Sequence, residues 1–158
     1  MSTRTARSAF SLLELMIVVM ILGILAAVVV PRFAGATDDA RSSATEATVA
    51  SVRASIAAFR TRAVMQGVDP FPTLEQLNTP GVVMTQAAPA NPFTGASGIQ
   101  AVSASQAQDR AVANDGSIGW NYYVDNSADP PVFVFYANCS NTTTVPDGSG
   151  GTLTANEL

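Results

Sequence analysis

The sequence predicts an α+β chain: one long N-terminal helix, apolar in its first half, packed through its second half on a small antiparallel β-sheet head. Three observations carry that expectation. Residues 10–30, FSLLELMIVVMILGILAAVVV, contain a single charge. The stretch after Pro31 lacks proline as far as Gly67 and is rich in Ala and Arg, both good helix formers. Two aromatic and β-branched runs, WNYYVD from Trp120 and VFVFYA from Val132, have the length and composition of strands. The organisation that follows is a basic leader over 1–9, a membrane-spanning half of the helix over 10–30, an amphipathic half over 31–66, and a head over 67–158 ending in a mobile tail.

Composition narrows the function classes. Twelve acids stand against eight arginines, with no Lys and no His. That balance argues against sequence-independent nucleic-acid binding, which relies on basic patches. A single cysteine, Cys139, closes no intramolecular disulfide and completes no Cys/His zinc set. Nothing pairs as an acid and base for catalysis, so no enzyme is expected.

The N-terminal run is 21 residues from Phe10 to Val30, about 31 Å as a helix and close to the thickness of a bilayer core. Glu14 stands near its start. A charge at mid-membrane costs roughly 2.5–3.5 kcal/mol on insertion scales, so an intramembrane acid implies a partner. Two plain readings compete. A cleaved secretory signal has its basic start in Arg4 and Arg7 and an A-x-A site at Ala34-Gly35-Ala36, but the run exceeds the usual length and leaves Glu14 without a role. A simple single-pass anchor treats Glu14 as interfacial. Orientation ties on arginines, two before the run and Arg32 and Arg41 after it; the α-amino group and the short leader favour an inside N-terminus.

The segment AFSLLELMIVVMILGILAAVVVPRF resembles the class III signal and N-terminal helix of type IV pilins and of type II secretion pseudopilins. The resemblance implies a pilin-like fold, cleavage by a prepilin peptidase at Ala9–Phe10, and methylation of the new N-terminus at Phe10. Ala9 stands where the family usually has Gly. The family's assembly acid falls on Glu14 and its helix-kinking proline on Pro31. The implied partners are like subunits in a filament, the peptidase and an inner-membrane assembly platform. The implied location is a single pass through the inner membrane with the head periplasmic, then a pilus or pseudopilus. A helical i,i+4 spacing brings a Phe10 amine near Glu14, and in a stack of subunits Glu14 meets the amine of a neighbour instead. The small head without paired cysteines leans towards the pseudopilus. The alternative function is a membrane-tethered or secreted binding domain.

Along the second half of the helix, Val49, Val52, Ile56, Phe59 and Ala63 follow 3,4,3,4 spacing and form one apolar stripe that should face the head. Arg53, Arg60 and Arg62 fall elsewhere, as solvated charges. The stripe extrapolates upstream to the polar Thr45, Ser42 and Asp38, so residues 34–47 are expected to stand free of the head. Pro31 and Gly35 allow a bend or melted stretch, and Gly67 is the natural stop. In the head, Thr73 and Gln76 make a capping box that opens a short helix Leu74–Asn78. Residues 81–86 are expected as a strand, NPFTG at 91–95 as a turn, and the two aromatic runs as an antiparallel hairpin. No cofactor is expected. Calcium is the one ion considered, with Asp125, Asn126 and Asp129 as the oxygen-bearing candidates, although no loop matches an EF-hand pattern.

Overall fold

The computed structural model describes residues 11–158, and the chain divides after Thr37 into two compact units. Helix α1 (Leu12–Gln66) is continuous past Pro31 and Gly35, where the sequence allowed a bend or melted stretch, so the melted stretch does not form. A proline removes one backbone bond; the bonds of the turns on either side keep the helical path. The helix ends as expected. Gly67 adopts φ 68°, Val68 N donates to Ala63 O at 3.1 Å and Gly67 N to Val64 O at 3.2 Å, the paired bonds of a Schellman stop.

Within the second unit, Val49, Val52, Ile56 and Ala63 are buried and Phe59 is half-buried. Val49, Val52 and Ile56 share one core with Trp120, Tyr122, Phe135 and Ala137 from the sheet. The fold is α+β and pilin-like, as the sequence predicts. Strands β1 (Ile99–Ala101), β2 (Trp120–Asp125) and β3 (Val132–Ala137) make a sheet in that order. The β2–β3 hairpin is antiparallel, with Trp120 opposite Ala137 and Asp125 opposite Val132. β1 runs parallel to β2, so the sheet is mixed rather than purely antiparallel. The crossover carries helix α3 (Ala104–Gln108), capped by Ser103 and Gln106, and a 3-10 turn at Asn114–Gly116.

Helix α2 (Leu74–Asn78) forms with its complete Thr73/Gln76 capping box and buries Leu77. The strand expected at 81–86 is absent. Gly81 N donates to Met84 O and Val82 N to Thr79 O, which folds the segment into turns, while Val83 and Met84 pack half-buried against the core. Asn91 builds the turn at 91–95, accepting from Phe93 N on Oδ1 and from Gly95 N on its carbonyl.

Three further expectations are corrected. Ser42 and Thr45 are 1% and 0% exposed, so the helix is covered from Ser42 onward instead of standing free to residue 47. Arg53 is not simply solvated: its guanidinium donates to Phe135 O at 2.9 Å, and burial, reinforced by the Arg110 charge, lowers its pKa. The tail expected to be mobile forms strands β4 (Thr142–Pro146) and β5 (Thr152–Thr154) and a 3-10 turn at Ala155–Glu157, with Ala155 fully buried. Asp147 closes that hairpin, its Oδ1 accepting from Ser149 N at 2.7 Å and Gly151 N at 2.9 Å.

Buried aromatics spend their polar ends on backbone. Trp120 Nε1 donates to Pro89 O and Tyr122 OH to Pro72 O, each at 2.7 Å, and Trp120 stacks on Phe135 with centroids 5.6 Å apart. Burial raises the Tyr122 phenol above its ordinary pKa of 10.0. The folded chain therefore holds that proton more tightly than the unfolded chain, and stability is full below about pH 10 and declines as pH rises above it. Urea midpoints measured from pH 7 to 11 are expected to fall above pH 10, and Tyr122→Phe is expected to flatten that fall. An alkaline loss of the same size in the variant would move its origin elsewhere.

Candidate assembly surface

The first half of α1 is apolar on every side. Nineteen residues from Leu12 to Val30 rise about 28 Å, matching a hydrocarbon core of roughly 30 Å, and this is the one described helix long and apolar enough to cross a membrane. Exposure of its large apolar side chains runs from 43% at Val29 to 76% at Leu12. A surface helix of a water-soluble protein hides such residues in one stripe; an all-round apolar surface needs lipid or other protein on all sides.

Glu14 lies in the first turn of α1, exposed, with Ile17 and Val18 one turn further along the same face. The N-terminal end of a helix favours a carboxylate through its unpaired N–H groups and aligned dipoles. Pro31 lies within α1 immediately after the apolar run. Ala9 and Phe10, the expected processing and methylation positions, fall outside the described residues.

Two of the three calcium candidates, Asp125 and Asn126, are engaged in hydrogen bonds within the protein. Asp125 Oδ1 accepts from Ser127 Oγ at 2.6 Å, Ser127 N at 2.9 Å and Ala128 N at 3.1 Å, and the Ser127 hydroxyl leads these in holding the carboxyl below its usual range. Asn126 spends both amide ends on Phe71, accepting from its N–H and donating to its carbonyl. Asp129 is exposed. Among the described residues, no three His, Cys, Asp or Glu side chains gather as a metal site.

A groove of about 530 Å³ lies between α1 and the loop after α2, lined among others by Ser51, Val52, Ser55, Val83, Met84 and Pro89; none of its lining residues is titratable. Sequence reasoning missed a buried polar network instead. Asn91, Asn121 and Asn138 are each fully buried. Asn138 Nδ2 donates to Ala113 O and Ile118 O, both at 2.8 Å, while its Oδ1 accepts from Ala113 N at 2.7 Å and Asn121 Nδ2 at 2.9 Å. Asn91 Nδ2 donates to Gly119 O at 3.1 Å and lies 3.4 Å from the buried Cys139 Sγ. The available signal was an Asn inside one apolar strand and another directly after the next.

Comparison with known proteins bears on the N-terminal segment. A family profile described as the prokaryotic N-terminal methylation motif matches residues 4–30. The chain is 50% identical over 48 residues to the type IV narrow pilus major component PilA5 of Thermus thermophilus, a match covering 30% of this chain and 41% of that relative. The chain thus spans about two-fifths of the length of the curated relative it matches. No solved structure matches. Both likenesses lie at the N-terminal end: the chain carries an N-terminal methylation motif over residues 4–30 and is similar there to a type IV pilus component.

Proposed function

We propose that this chain is a structural filament subunit, held in the inner membrane by residues 10–30 with its head periplasmic, cleaved at Ala9–Phe10 by a prepilin peptidase and methylated at Phe10. An inner-membrane platform then stacks the subunits through this helix into a filament. The observation that carries the proposal is the helix itself: nineteen residues apolar on all sides, interrupted by one acid at Glu14. Lipid satisfies the apolar side chains before assembly and neighbouring helices satisfy them afterwards. Glu14 acts as a docking charge that meets the Phe10 amine of a neighbour and sets the axial register, a buried pair serving specificity. Pro31 marks the end of the assembly half, with 31–66 as the amphipathic half and 67–158 as the head.

The filament is a type IV pilus or a type II secretion pseudopilus; the likeness to a narrow-pilus component supports a filament subunit of this general kind. The test begins with intact mass and N-terminal sequencing of the protein from cells that express a prepilin peptidase. A chain starting at methylated Phe10 is the expected result; a start at Thr37, or an uncut leader, would return the protein to a secreted or simply anchored binding domain. In the same cells Glu14→Gln is expected to remain in the membrane fraction while filaments disappear. Normal filaments from that variant would remove the docking role.

A further inference from the structure

Residues 142–158 are joined to the head in an unusual way. β4 and β5 pair only with each other, and their ladder is irregular between Thr142 and Pro146. Among the described residues, three hydrogen bonds tie this segment to the chain before Asn141, and each involves a side chain. Thr144 N donates to Ser42 Oγ at 3.0 Å, the Arg110 guanidinium donates to the Glu157 carbonyl, and Asn156 Nδ2 donates to Arg110 O at 2.8 Å. The backbone bond from Ala155 N ends on Asn141 O, at the segment's own border. Two of the three ties converge on Arg110, which sits at φ 48°, a left-handed conformation that a non-glycine residue keeps only where its surroundings impose it.

The contact beneath the segment also differs from the rest of the head. Under the three-stranded sheet α1 presents Val49, Val52 and Ile56. Where it meets β4 it presents Ser42, with Thr45 buried one turn further on. Both hydroxyls donate back into their own helix, Ser42 to Asp38 O and Thr45 to Arg41 O, each at 2.8 Å, so neither loses its donor bond when water replaces its cover. Ala155 alone carries the segment into the buried core. A void of about 290 Å³ separates α1 from the segment, lined among others by Glu46, Val49, Arg53, Val145, Leu153 and Glu157. Asn156 Oδ1 is buried without a partner, a group that gains a hydrogen bond on reaching water.

We infer that residues 142–158 form a strap that lifts from the head as a unit while the three-stranded sheet and its aromatic core stay folded. Opening breaks three side-chain bonds and the border bond from Ala155 N to Asn141 O, and uncovers Ala155 and Thr143; the β4–β5 pairing travels with the strap. The face of α1 that emerges, around Ser42 and Thr45, is compatible with water. This device is independent of the filament reading.

The test is residue-resolved hydrogen exchange on the full chain in detergent micelles. The Thr144 and Ala155 amides are expected to exchange at least about a hundredfold faster than those of Trp120 and Asn138, two fully buried residues. Arg110→Ala is expected to speed the two strap amides by about tenfold further and leave Trp120 and Asn138 unchanged; Ser42→Ala is expected to act in the same direction. Strap amides as slow as sheet amides, or variants that accelerate strap and sheet alike, would overturn the inference by showing that the segment opens only with global unfolding.

Discussion

Asn138→Ala is expected to lower the stability of the head by about 3–5 kcal/mol, a large part of the roughly 5–15 kcal/mol typical of a domain. The side chain is wholly buried and makes four hydrogen bonds, two as donor and two as acceptor. Truncation leaves Ala113 N–H, the Ala113 and Ile118 carbonyls and one Asn121 donor without that partner inside the protein. Each such group costs about 1–3 kcal/mol when dry, and a water entering the vacated space recovers part of the sum. Asn138→Asp keeps the volume and both acceptor bonds but turns a second carboxylate oxygen towards two carbonyls, so it is expected to be no milder near neutral pH. Thermal or urea unfolding followed by circular dichroism measures both. A cost below about 1 kcal/mol for the alanine variant would mean that the loops it joins hold themselves.

Gly119→Ala is expected to be comparably severe, by about 3 kcal/mol or more, for a steric reason. A Cβ at this position would stand 2.3 Å from Ala96 O and 3.4 Å from Asn91 Cβ. The obstacle is backbone, and the carbonyl that must retreat is the one accepting from Asn91 N at 2.8 Å. Gly119 also bonds Ser97 O through its own N–H and receives Asn138 N on its carbonyl, so movement there loosens both edges of β2. Gly35→Ala is the matched control: a helical glycine with open space at its Cβ position, expected to leave the head's unfolding transition where it is. Equal transitions for the two variants would show that the 91–97 loop yields at little cost.

The features legible in the sequence are those decided within a few neighbouring residues. The apolar run, the Thr73/Gln76 box, the Gly67 stop and the β2–β3 hairpin each depend on local spacing, and all appear in the structure. Misreadings arose where distant partners decide. β1 is three residues long and exists because Ile99–Ala101 lie beside Trp120–Tyr122, a parallel pairing that no local alternation announces. Ser42 and Thr45 look like solvent residues until β4 covers the helix there. Arg53 looks solvated until a carbonyl 82 residues away accepts from it. Glu14 and the apolar run of the candidate assembly surface stand out because lipid-scale patterns are written in composition, whereas the asparagine network buried in the head depends on three segments meeting.

The separation between the Val49–Ala63 stripe and the strands that cover it also governs how the chain is made. A ribosome adding about 5–20 residues per second needs roughly 4–16 s to travel the 82 residues from Arg53 to its acceptor, Phe135. For most of that interval Val49, Val52 and Ile56 have no sheet to pack on, since Trp120 and Tyr122 are added only towards its end and Phe135 at its close. Folding of the head is therefore a late event in biogenesis. A chain interrupted before about residue 137 presents bare apolar faces to chaperones and proteases, which lets the cell discard incomplete copies.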